Sequence, residues 1–419
     1  LENAPDSGRS SLSLGWAVVP KPPVRALTLG VACPHPLDLP TVRTAACALR
    51  HAASGFAEAG YEVQTLRLST RPVLADLARQ SPSSVIQYAA RLQGFLEEAG
   101  LGFCSLGPLA PRAGAQSPEI MADLIVGNQA IDCSVVVATL DGGLDVPAAA
   151  AAARTMVRLA GETDEGFGNF NFAALACTDA GTPFFPAAYH AGPANLTLAL
   201  QGAGIVAEAL AGGAELADVP GRVKEKLVEH ARPVVELAQR QAAEIGVVFA
   251  GIDLSPAPNG PDSIAAALEQ AGHGPVGSPG TLSLAAALTE GLKSTGLPTC
   301  GYCGLMLPVM EDTVLARRWE EGWLGLDQLL AYSAVCGTGL DTVPLPGDSS
   351  ADELTRLICD MATLAVRLRK PLSARLLPVP GRSAGQRTQF SSPYIVNTLI
   401  KSLAPRPLPP RRRPERAVG

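Results

Sequence analysis

Aromatic side chains make up only 5% of this 419-residue chain, and charged ones only 17%. With so few charges and 47% of residues hydrophobic, wholesale disorder is excluded and a large core is available. Few aromatics leave much of the packing to Ala and Gly, which suits helices laid closely on strands. Long apolar runs are missing too. The longest stretch without formal charge, Phe184–Ala207, is broken by prolines, glycines, His190, Asn195 and Gln201, and makes a poor membrane span. Residues 1–23 hold Glu2, Asp6 and several Ser and Pro, without the continuous apolar segment of a secretory leader. The nine cysteines are scattered and odd in number, so no disulfide framework is expected. These absences point to a cytoplasmic protein with no membrane partner.

Familiar catalytic signatures are also lacking. There is no Walker A loop, no HExxH and no GxSxG. Gly202-x-Gly204-x-x-Ala207 matches a loose dinucleotide fingerprint, but it lies in an Ala/Leu stretch and reads as helix packing. Cys300-Gly-Tyr-Cys303 enters an apolar strand instead of opening a helix, and no second pair completes a zinc site. It reads as structural. The net charge of −6 is uneven: residues 404–419 carry five arginines against Glu415, which leaves the rest near −10. A body that acidic is not expected to bind nucleic acid. The Arg/Pro tail reads as a solvated, disordered end, and so does the segment 1–23.

What is present is a long strand–helix alternation. Arg25–Val31, Tyr61–Leu68, a short run near Phe103, Cys133–Leu140, Asn169–Cys177, Val247–Leu254, Tyr302–Pro308, Gly339–Val343 and Ser373–Leu377 read as strands. Helical patterns separate them, among them Thr41–Ala59, Val85–Ala99, Pro118–Asn128, Asn195–Ala211, Arg222–Glu244 and Ala351–Leu368. Nine to eleven strands with intervening helices signal α/β architecture. No linker divides the body, so one domain over residues 24–403 is expected, with a doubly wound sheet as the alternative.

In parallel α/β folds, active groups gather in loops after the carboxyl ends of strands. Those loops carry Cys33 and His35, then Asp141, then Asp179, Thr182, Tyr189 and His190. Later ones carry Asp253 and Ser255, Asp262 and Ser263, Glu311 and Asp312, and Cys336 with Asp341. Carboxylates brought together at one mouth suit a hard divalent cation, Mg²⁺ or Ca²⁺, with Asp253, Glu311 and Asp341 as its ligands. Without a cation, their mutual repulsion raises one pKa into the range of acid–base chemistry. The plainer reading is helix capping, for which Asp262 before Ile264 and Asp312 before Val314 are well placed. His190, in a Gly/Pro-rich loop, is a candidate base, acid or ligand, and Cys336 is the better thiol candidate. Cys336 joins His190, Asp253 and Glu311 as the expected catalytic groups.

Several of these segments also carry a resemblance. GVVFAGIDLSPAPNGPDSIAAALE, GSPGTLSLAAAL, CGLMLPVMEDTVLA and AVCGTGLDTVPLP, with FFPAAYHAG before them, stand in an order that resembles the DUF711/UPF0210 family from about Val24 to Leu403. The resemblance implies a fold similar to the ten-stranded α/β barrel of glycyl radical enzymes such as pyruvate formate-lyase. It also implies pocket positions at His190, Asp253, Ser255, Asp262, Ser263, Glu311, Asp312, Cys336 and Asp341. It supplies no reaction. Glycyl radical chemistry is not expected, because Gly381 and Gly385 lie in VPGRSAGQ, without the R-V-x-G context that chemistry uses. Two functions remain: an enzyme acting on a small polar metabolite at the barrel mouth, or a non-catalytic metabolite- or metal-binding barrel. The expected partner is a small-molecule ligand, and assembly into a homo-oligomer is left open.

Overall fold

The computed structural model describes residues 21–109 and 120–403. The expectations for residues 1–20 and for the Arg/Pro tail lie outside the described residues, as do Pro118 and Glu119 of one expected helix. Ten strands form one sheet. They are β1 (Val24–Gly30), β2 (Leu66–Ser69), β3 (Cys104–Leu109), β4 (Ile131–Thr139), β5 (Gly143–Leu144), β6 (Phe172–Ala176), β7 (Asn195–Leu200), β8 (Val248–Asp253), β9 (Gly339–Pro346) and β10 (Leu372–Val379). Their order is β8-β7-β1-β2-β3-β4-β6-β10-β9, with the short β5 folded back on β4.

Two directions run through this sheet. β1, β2, β3, β4 and β6 are mutually parallel. β7 is antiparallel to β1 and β10 is antiparallel to β6, while β8 follows β7 and β9 follows β10 in parallel. The carboxyl ends of one half therefore lie at the end where the other half has its amino ends. Among the described residues the ladder does not close, and β8 and β9 are its edges. The segment between them in sequence touches both edges: Thr299 forms a bridge with Ile252 of β8, and Pro308 forms one with Asp341 of β9. This is where Tyr302–Pro308 was expected as a strand, and only those two isolated bridges form.

Alternation along the strands sorts the residues by face. Leu27, Leu29, Leu68, Cys104, Cys133 and Phe172 join the main apolar cluster with the helices. On the other face stand Arg67 and Ser69, Asp132 and Ser134, and Ala173 and Leu175, which are also buried. A sheet covered on both faces needs something to cover the second. The loop after β6 does so: Phe184 and Ala187 pack with Val136, Ala173, Leu175 and Ala199. It is fixed in place where Thr28 Oγ1 donates to the Pro183 carbonyl and the His190 amide donates to the Thr70 carbonyl.

Local rules start the helices. Ser81 and Ser350 cap theirs through their hydroxyls, and Ser350 forms a full capping box with Glu353. Two expectations change. Asn195–Leu200 is a strand, and the helix there covers only Ala203–Leu210. Its leucines favour a helix, but Thr197 and Ala199 alternate with them, and pairing with β1 satisfies the backbone. At the next cap Ser263, not Asp262, receives the helix N–H.

Candidate functional site

Six strands from both halves of the sheet contribute to one internal cavity, with room of about 60 Å³ for the centre of a water-sized sphere. Its charged lining is Arg25 from β1, Arg67 from β2, Asp132 from β4, Asp341 from β9, Arg375 from β10, and Glu311. All six are at most 8% exposed. Burying charge is expensive unless it is paired, so the pairing decides what the cavity can do.

Arg375 is held between two carboxylates. Its Nε donates to Asp341 Oδ1 at 2.7 Å, its Nη2 bonds Glu311, and its guanidinium lies over the Phe170 ring at 4.8 Å. Burial opposes its charge, but the two carboxylates outweigh burial and raise its pKa. Arg25 is held more loosely, by Gln64 at 3.3 Å and Glu311 at 3.5 Å. Arg67 is different. Its Nε donates to Thr65 Oγ1 at 2.9 Å, and its guanidinium faces the Phe103 and Phe185 rings at 5.1 and 5.3 Å. No carboxylate among the described residues pairs with it. Burial and the neighbouring Arg25 lower its pKa to about 10, which leaves it charged at neutral pH.

Two strands away on the same face, Asp132 also lacks an ion partner among the described residues. Its Oδ2 is buried with no hydrogen-bond partner, and burial raises its pKa well above the ordinary carboxylate value against the pull of Arg67 and Arg375. Two more lining groups are open: the Thr338 hydroxyl has no partner, and the Tyr302 hydroxyl lies beside Ser373 and Thr178 without a well-formed bond. Unfilled donors and acceptors thus converge on one small space.

The residues singled out in the sequence are distributed differently. Glu311 and Asp341 reach the cavity and share Arg375. Asp253 does not line it: the Ser255 amide and hydroxyl donate to its carboxylate at 2.9 and 2.7 Å, and the Tyr302 and Cys303 amides at 2.7 and 3.0 Å. It clamps two loops together. Asp262 accepts from Gln201 at 2.6 Å. Asp312 caps the helix Thr313–Glu321, as its position suggested, and also accepts from Ser263 Oγ at 2.6 Å. His190 is buried near the carboxyl ends of β1 and β2, where Nε2 donates to the Gly192 carbonyl at 2.9 Å. Cys336 is buried, and burial pushes its thiol up to about 12, so it stays protonated and ill suited to nucleophilic attack.

The three expected cation ligands are not brought together. Glu311 and Asp341 are engaged by an arginine and Asp253 by four donors, so a metal would have to displace all of these. Among the described residues, the grouping tight enough for a cation is Glu208, Glu229 and His230. Lys226 already bonds Glu208 at 2.6 Å and Glu229 at 2.8 Å there. Cys300 and Cys303 are both free, and Cys303 Sγ donates to the Cys300 carbonyl at 3.3 Å, which fits a structural role. Sequence reasoning missed Arg25, Arg67, Asp132 and Arg375. The available signal was a charged residue at an alternate position inside an otherwise apolar strand, as in IDCSVVVAT and LSARLLPV.

Sheet and cavity together define an α/β protein built around a buried, charged chamber. The chain belongs to the family described as Uncharacterised ACR (DUF711), which matches residues 21–392. It is similar to a UPF0210 protein of Pyrobaculum islandicum, 32% identical over 78% of this chain and 75% of the relative. A UPF0210 protein of Pyrobaculum arsenaticum is 31% identical over 86% of both chains. One from Desulforudis audaxviator is 29% identical over 80% of this chain and 78% of the relative. No helix among the described residues is long and apolar enough to cross a membrane.

Proposed function

We propose that the chain is an enzyme that takes a small anionic metabolite into the cavity, with Arg67 as its anion anchor and Asp132 as its proton donor or acceptor. One observation carries this reading. Arg67 and Asp132 are buried, oppositely charged in type and exposed to the same cavity, yet no hydrogen bond or ion pair joins them. A guanidinium has five donors, and Arg67 spends one of them within the protein. The rest match a carboxylate or phosphate, whose planar or tripod oxygens suit the guanidinium fork. A carboxyl held neutral by burial can give a proton to a bound ligand or take one from it. Glu311 and Asp341 orient Arg375 beside the site and do not bind a cation in this reading.

The closed barrel expected from the resemblance belongs to the same proposal. The segment Thr299–Val309 spans the gap between β8 and β9 and serves as an irregular stave. Each half then has five parallel members, and the chamber is their interior.

The test is a screen of small carboxylates and phosphate esters, read by thermal shift and by product analysis. Arg67→Met should abolish stabilisation by the ligand found, and Asp132→Asn should keep binding while removing turnover. Binding with no turnover of any ligand would instead make this a binding protein. Ligands that bind Arg67→Met as well as the parent would refute the site.

A further inference from the structure

Beyond the small cavity lies a much larger one, with room of about 850 Å³ by the same measure. The two share Phe103, Phe170 and Tyr394 as walls. A chain poor in aromatics concentrates them here. Of its ten phenylalanines, five (Phe103, Phe167, Phe170, Phe185 and Phe390) join Tyr394 in one run of ring contacts. Phe170 stacks on Tyr394 with centroids 6.2 Å apart, and Phe103 meets the same Tyr394 edge-on at 6.2 Å. The arginines stand just inside this wall: Arg67 lies over Phe103 and Arg375 over Phe170. Aromatic rings therefore stand between the outer compartment and the guanidinium groups of the inner one.

The polar groups of the outer compartment are mostly spent. Gln93 bonds Glu97 and the Ala130 amide, Asn128 bonds the Leu124 carbonyl, and Asn171 bonds the Gln129 and Ile131 carbonyls. Its remaining charges, Glu97, Glu162, Asp164 and Glu165, are all acidic and disfavour a second anion. What it offers is ring surface and volume.

We infer that the substrate has two parts: one anionic group that reaches Arg67, and an uncharged aryl-alkyl body that passes Phe103, Phe170 and Tyr394 into the outer compartment. This rests on the anion site proposed above. The small chamber admits only the head, and the larger, half-open compartment has the volume of a drug-sized molecule. Stacking on flat rings selects a flat body.

The experiment compares acetate, inorganic phosphate and 4-phenylbutyrate by calorimetric titration of the full chain and of two variants. Expected is 4-phenylbutyrate binding tighter than acetate by roughly tenfold or more, as burial of one ring supplies. Gly102→Phe should erase that advantage and leave acetate unchanged. Gly102 lines the outer compartment, is exposed, and a Cβ there meets no atom within 4 Å, so this variant fills space without a clash. If 4-phenylbutyrate binds no tighter than acetate, or keeps its advantage in Gly102→Phe, the two-part substrate is overturned and the anion site stands. If none of the three probes binds in a way that Arg67→Met removes, the anion site falls and this inference falls with it.

Discussion

Asp132 is the residue at which function and stability pull apart. A buried carboxyl with an unpartnered oxygen is a poor choice for stability, and its neighbours Arg67 and Arg375 only partly offset the cost of desolvation. Its folded pKa stands well above that of an ordinary, solvated aspartate. Across that window the folded chain keeps a proton that the unfolded chain has released, so stability falls as pH rises. Asn carries no such proton. Asp132→Asn should therefore gain stability relative to the parent as the pH rises above the ordinary carboxylate range, with the gain fading towards about pH 4. Urea titrations at several pH values measure this. An Asn variant that is less stable at every pH would mean that Asp132 is a paired structural group. The residue was not legible beforehand, because a charge inside an apolar strand looks the same whether it faces an ion partner or a ligand. Asp312 was legible as a cap because capping is a local event, decided within three residues.

Elements with strong local pattern were read well. The helices Leu39–Glu58, Pro82–Ala99 and Ala351–Leu368 carry clear amphipathic periods and caps, and β1, β4 and β10 are dense in apolar residues. β7 was lost because Leu and Ala favour helix and only its neighbour β1 makes it a strand. The connection after β1 joins three elements through His35. Its Nε2 donates to the Arg71 carbonyl at 3.1 Å, and its Nδ1 accepts from Tyr88 of the helix Pro82–Ala99 at 2.6 Å. Burial lowers its pKa from 6.5 to about 4, offset only in part by the hydrogen bond to the Arg71 carbonyl and the nearby Asp76 carboxylate. Below 6.5 the unfolded chain takes up a proton that the folded chain refuses. Its contribution is full above that pH and is lost as the pH drops towards 4, at most about 3 kcal/mol. His190, lowered in the same direction by burial, adds to the slope. His35→Gln should flatten the stability–pH curve between those limits, whatever its effect on absolute stability. An unchanged slope would assign the acid sensitivity elsewhere.

At the scale of the whole molecule, strand direction is what the sequence could not disclose. Strand-end loops were read as one mouth, which holds only for a sheet that runs one way. The antiparallel junction β1/β7 puts His35, after β1, and Asp253, at the carboxyl end of β8, at opposite ends of the sheet, while Asp341 lies inside β9 and Glu311 outside the strands. Whether that sheet works as a closed unit depends on Thr299–Val309. The segment is bonded to both edges: Cys300 N donates to Ile252 O at 3.0 Å, Val309 N to Asp341 O at 3.0 Å, and Gly337 N to Leu305 O at 2.8 Å. Its backbone approaches the entry to β9 so closely that a Cβ on Gly304 would sit 2.6 Å from the Gly337 Cα. A stave of the barrel and a loop lying over an open edge make different predictions. As a stave, the segment opens only when the sheet opens, so its amides should exchange with solvent as slowly as those of β10. Gly304→Ala should then force two backbones apart and cost about 1–3 kcal/mol of global stability. As a loop, it would exchange as fast as the exposed turn around Gly381–Gly385, and the substitution would be absorbed locally. Hydrogen exchange over residues 299–309, measured with the global unfolding energy of Gly304→Ala, separates the two. Fast exchange with an unchanged unfolding energy would leave an open sheet with a cavity on one face.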